Sequence, residues 1–129
     1  MKAQDLAQHE WKHRILIIKA DKSESSMVQK QLKEFNAVSN EMRARKLVVY
    51  HITGDNYTFL DFKNTQNDVG KVHGDLANVL KDKHDFEVIL IGLDGGVKLR
   101  QTNILSQQAL FDKIDSMPMR RSELRKHKY

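Results

Sequence analysis

The chain has 129 residues, of which 40% are hydrophobic and 30% charged, with six Gly and one Pro; this fits one globular domain with its own core and excludes disordered, collagen-like and repeat architectures. Cysteine is absent, which removes disulfides, thiolate metal sites, thiol nucleophiles and dithiol redox couples together. The net charge of +5 is concentrated near the end, where Arg120, Arg121, Arg125, Lys126 and Lys128 face only Glu123, so the expectation is a single domain over residues 1–118, a basic tail over 119–129 and no basic face.

In chain order, residues 2–14 are too polar for the core of a signal peptide, and no apolar run approaches the ~20 residues that cross a bilayer. As written the sequence reads as cytoplasmic, or as periplasmic or exported if a leader has been removed. His9-Glu10-Trp11-Lys12-His13 matches the H-E-x-x-H pattern, in which two His one helical turn apart bind zinc and the Glu activates water. That chemistry needs a continuing helix and a third ligand, whereas His13 abuts a strand. The plainer expectation is a polar lead-in with Trp11 packed on the sheet edge, leaving His9, Glu10 and His13 as weak metal candidates.

Residues 14–20, Arg-Ile-Leu-Ile-Ile-Lys-Ala, form a short β-branched apolar run that predicts a strand buried on both faces. Ser26 and Gln29 match a capping box, and Val28, Leu32, Phe35, Val38 and Met42 step along one stripe of a helix starting near Ser25. Leu47 to Ile52 predicts a second buried strand, parallel to the first. Gly54-Asp55-Asn56 marks a turn, after which Tyr57, Phe59, Leu60 and Phe62 predict a short edge strand or a packed loop. From Asp68 to about Lys83, Val69, Val72, Leu76, Val79 and Leu80 recur at helical spacing, although Gly70 and Gly74 weaken that helix. Phe86 to Leu93, the turn Asp94-Gly95-Gly96 and Val97 to Gln101 predict a hairpin. Ser106 caps a last helix whose Leu110, Ile114 and Met117 point inward, ending near Pro118.

The order strand, helix, strand, helix, hairpin, helix predicts an α/β fold of thioredoxin-like type, a mixed sheet with a central parallel pair, an antiparallel hairpin and helices on both faces. Trp11-Lys12-His13-Arg14 and the hairpin segment Val88 to Arg100 resemble the peroxiredoxin-like domain of unknown function called the DUDES family. Bacteria have this domain singly, and it is similar to a module of sushi-repeat-type matrix proteins. The resemblance implies a site just after the first strand, where such folds carry a cysteine. Here the segment reads Ala20-Asp21-Lys22-Ser23-Glu24-Ser25-Ser26, and a serine hydroxyl neither ionises at neutral pH nor forms a disulfide. The only proline is Pro118, so the proline that precedes the hairpin in thioredoxins is missing as well.

These observations predict a redox-inactive binding or interaction module, not a thiol-dependent oxidoreductase or peroxidase, with no cofactor and a protein as the favoured partner; homo-oligomerisation is left open. One alternative is a thiol-independent enzyme or an anion- or metal-binding protein. Its ligand residues would be Asp21, Lys22, Ser23, Ser25 and Ser26 at the helix start, with Lys98 and Arg100, which alternate along the hairpin. A second alternative is nucleic-acid or membrane-surface binding through the tail, although no aromatic residues interleave with its charges except Tyr129.

Overall fold

The computed structural model describes residues 11–20, 25–54, 56–60, 68–72 and 86–126. Six strands form one mixed sheet in the order β4-β3-β2-β1-β5-β6: β1 (Arg14–Ala20), β2 (Leu47–Thr53), β3 (Asn56–Leu60), β4 (Asp68–Lys71), β5 (Phe86–Ile91) and β6 (Val97–Gln101). Strand β1 runs parallel to β2, with Arg14 opposite Leu47 and Ala20 opposite Thr53, and antiparallel to β5. The other pairings are antiparallel. The helices are α1 (Ser25–Asn36), α2 (Ser39–Ala44), α3 (Gln107–Asp115) and α4 (Pro118–Lys126).

The apolar runs of β1, β2 and β5 are continuous because these strands are covered on both sides, and alternation divides their side chains between two cores. One core joins Leu16, Ile18, Val49, Val88 and Leu90 to Val28 and Phe35 of α1, Met42 of α2, and Leu110 and Ile114 of α3. On the opposite face, Ile15, Ile17, Val48, Tyr50, Ile52, Ile89 and Ile91 pack with Tyr57 and Phe59 of β3. The Tyr50 ring meets those of Tyr57 and Phe59 with centroids 5.5 and 5.0 Å apart, within the range where edge-on and tilted aromatic pairs attract. Among the described residues α1, α2 and α3 all cover the first face. The helix expected from Asp68 to about Lys83 lies, beyond residue 72, outside the described residues.

The structure departs from several of these expectations. The stripe from Val28 to Met42 is carried by two helices, because Val38 leaves the helical region (φ −126°, ψ 39°) before α2 begins. Helix α1 starts at Ser25, so Ser26 lies in its first turn and not at the cap. Asp68–Lys71, expected as the start of a helix, is strand β4, with Gly70 opposite Tyr57. Gly70 suits this pairing sterically, since a Cβ on it would lie 2.8 Å from atoms of the Tyr57 side chain. The segment expected as a basic tail is, through Lys126, helix α4. The single proline opens that helix, where its missing N–H costs nothing and its φ is already helical.

The hairpin follows its expected form. Gly95 adopts φ +85°, the Gly92 N–H donates to Gly96 O at 2.9 Å, and Asp94 Oδ1 accepts from the Gly96 N–H at 2.9 Å. Ser106 caps α3 by accepting the Ala109 N–H at 3.1 Å.

Candidate functional site

A basic run leads into each strand of the parallel pair: Lys12-His13-Arg14 into β1 and Arg43-Ala44-Arg45-Lys46 into β2. Parallel pairing places the starts of both strands at one end of the sheet, so these runs converge there. Arg14 N–H donates to Lys46 O at 2.8 Å, which fixes the starts of β1 and β2 side by side. Lys12, His13, Arg43 and Lys46 line a recess of ≈ 400 Å³ whose apolar walls are Leu47, Val48 and Phe59. Among the described residues no carboxylate lines it. Arg43 donates to Asn40 Oδ1, Lys46 Nζ lies 3.7 Å from Glu123 Oε2, and Lys12 has no ion-pair partner among the described residues.

Two residues at this end have left-handed backbones: Trp11 at φ +69° and Lys46 at φ +57°. Lys46 follows α2, a position where Gly is favoured because a side chain costs roughly 1–2 kcal/mol there. Trp11, expected to pack on the sheet edge, is 60% exposed; its N–H donates to Leu93 O at 2.6 Å. Of the H-E-x-x-H residues, His13 lines the recess. His9 and Glu10 themselves lie outside the described residues, and no metal-ligating group of three occurs among the described residues.

Beneath the recess lies an ion network that anchors α4. Arg14, 1% exposed, donates from Nη1 to Arg45 O at 2.8 Å and from both Nη atoms to the Glu123 carboxylate at 3.5 and 3.3 Å. Arg45 grips Asp115 with Nε at 3.1 Å and Nη2 at 2.9 Å, bonds Glu41 Oε1 at 3.0 Å, and lies 4.0 Å from the Phe111 ring centroid. Arg120 reaches Asp115 Oδ1 at 3.2 Å, Ala44 O at 3.1 Å and Glu123 Oε1 at 3.3 Å. Burial alone would raise the pKa of Asp115 and Glu123, but hydrogen bonds and charge from these arginines outweigh it and hold both carboxyls below their usual values. These contacts are structural: charged groups this buried persist only when paired.

A second recess, of ≈ 290 Å³, opens between the hairpin turn and the end of α3. Its lining includes Arg14, Gly92, Leu93, Asp94, Lys98, Lys113 and Met117. Lys98 Nζ donates to Asp94 Oδ2 at 2.9 Å. Hydrogen bonding from the Gly96 N–H and from Lys98 lowers the Asp94 pKa.

The candidates from sequence fall in separate places. Asp21, Lys22 and Ser23 lie outside the described residues; Ser25 opens α1 and Ser26 is exposed in its first turn. Lys98 and Arg100 do not share an environment, because the register shift between Leu90 and Ile91 interrupts the alternation. Lys98 lines the second recess, whereas Arg100 Nη1 donates at 3.1 Å to Glu87 Oε2, a carboxylate with 0% exposure. The residues that line the two recesses include Lys12, Arg43, Lys46 and Lys113, none of them among the sequence candidates. The signal for the first three was present: a basic run ahead of each of two strands expected to be parallel.

Residues 5–123 match the model of a family described as a domain of unknown function, DUF4174. No curated protein and no solved structure matches the chain.

Proposed function

The chain belongs to the DUF4174 family of domains of unknown function, and we propose that it is a redox-inactive thioredoxin-like module that binds an acidic segment of a partner protein. The fold part of this reading is supported by the neighbour order β2-β1-β5-β6, a parallel pair extended by an antiparallel hairpin, with a helix between the parallel strands and another after the hairpin. The absence of cysteine takes away the thiolate on which redox chemistry in such a fold depends.

The observation that carries the binding reading is the convergence of the cations Lys12, Arg43 and Lys46, with His13 beside them, on one recess with no carboxylate among its described lining residues. Like charges drawn together cost free energy at each fold of the chain, and an anionic ligand offsets that cost. An extended acidic segment fits better than a compact anion, since the recess joins cations from two strand starts to the apolar walls Leu47, Val48 and Phe59. Lys46 adds to the argument: it keeps a cation where glycine would relieve backbone strain. The alternative of a free basic tail is weakened because Arg120 turns inward onto Asp115 and Glu123.

The test is a titration with a fluorescently labelled hexaglutamate peptide at low and at physiological salt. Binding is expected, weakening as salt rises, and lost in the double variant Lys12→Glu/Arg43→Glu, whose positions are exposed. Equal binding by wild type and double variant overturns the assignment. Tighter binding of a single-stranded RNA oligomer than of the peptide replaces it with the nucleic-acid alternative.

A further inference from the structure

We infer that the second recess is a binding site for a small aliphatic carboxylic acid, distinct from the basic recess at the strand starts. At ≈ 290 Å³ it lies at the small end of ligand pockets, which run from ~300 Å³ upward and combine an apolar wall with a few convergent polar groups. Leu93 and Met117 supply the apolar wall, and Lys98 and Lys113 supply the cations. Lys113 has no carboxylate partner among the described residues. Lys98 is held in place from both sides. Asp94 Oδ2 binds its ammonium at 2.9 Å, and its stem crosses Gly92 so closely that a Cβ there would fall 2.6 Å from Lys98 Cε.

An independent observation points to a ligand oxygen. Arg14, which also lines this recess, is buried, and its Nε–H has no hydrogen-bond partner among the described residues. Leaving a buried donor unmade is costly, and native proteins seldom do so without a ligand or water to accept from it. A carboxylate seated between Lys98 and Lys113 would meet both ammonium groups and bring an acceptor to the Arg14 side of the recess, with its chain lying along Leu93 and Met117. Phosphate suits the site less well, because it offers nothing to the apolar wall.

The experiment is a titration of the full chain, labelled with 15N, with hexanoate and separately with hexanol. Hexanoate is expected to move the amide resonances of Gly92, Asp94, Lys98 and Lys113, with hexanol at the same concentration moving them far less. Lys113→Gln should weaken hexanoate binding roughly tenfold, the scale of one charge-assisted contact. Lys113 is exposed and its substitution leaves the core untouched, so the comparison does not depend on refolding. Lys98→Gln should weaken binding similarly. Equal affinity for hexanol, undiminished affinity in Lys113→Gln, or resonance changes confined to Lys12, Arg43 and Lys46 would each overturn the assignment.

Discussion

The side-chain amide of Gln31 in α1 replaces a backbone partner for Leu105, seventy-four positions away: its Nε2 donates to Leu105 O and its Oε1 accepts the Leu105 N–H, both at 2.7 Å. Gln31 is fully buried, and Leu105 sits in the connection between β6 and α3, where no strand or helix can satisfy its peptide groups. One side chain thereby ties the connection ahead of α3 to the first helix.

Gln31→Leu should destabilise the protein by about 2–6 kcal/mol, because it leaves two buried peptide groups unpaired at ~1–3 kcal/mol each. Urea denaturation measures the loss, and faster hydrogen exchange at the Leu105 amide localises it. A loss below ~1 kcal/mol would mean that water reaches Leu105.

Glu123→Ala should release α4 and strand the Arg14 guanidinium in the interior. Removing one partner of a buried pair costs ~3–5 kcal/mol, and the partial exposure of Glu123 places the expectation at or just below the lower end, about 2–3 kcal/mol. Removal of residues 119–129, which lie beyond the domain expected from sequence, should be at least as destabilising. Thermal unfolding of both proteins checks this.

Stability should fall in acid through the same cluster. Asp115 and Glu123 have folded pKa values lowered from 3.8 and 4.5, so their contribution is complete above about pH 4.5 and is lost as pH drops through the folded values. His51 acts in a higher window. Burial lowers its pKa from 6.5, so below pH 6.5 the unfolded chain takes up a proton that the folded chain refuses, and stability declines further. The variant His51→Gln should flatten the slope just below pH 6.5 while leaving the loss below pH 4.5 in place. Chemical denaturation from pH 3 to 8 resolves the two.

Lys46→Gly should stabilise the fold by up to ~1 kcal/mol by relieving the left-handed strain at φ +57°, partly offset by loss of its contact with Glu123. The same change should weaken hexaglutamate binding. Stability and affinity moving in opposite directions would mark Lys46 as retained for the recess; unchanged affinity would remove it from the site.

The sheet was largely legible in the sequence because its signals are local. Residues 14–20, 47–52 and 86–93 are uninterrupted apolar runs, and Asp94-Gly95-Gly96 can hardly be anything but a reversal between two strands. The failures came where local signals tie. Val69 and Val72 suit a helix stripe as well as a strand, and pairing with β3 decided the matter for Asp68–Lys71. Val38 has ordinary helix spacing, yet its backbone breaks the helix to let Met42 reach the core.

By itself, the sequence determined that this protein has no thiol chemistry, that its core strands are buried on both faces, and that a Gly-rich hairpin follows the central pair. Those follow from residue type and short-range spacing. Only the tertiary structure decided that Arg14, Arg45 and Arg120 gather on Asp115 and Glu123, and that two basic runs become one recess. Charge in a sequence has no direction until the strands are paired, and here parallel pairing brought together Arg14 and Lys46, which lie far apart along the chain.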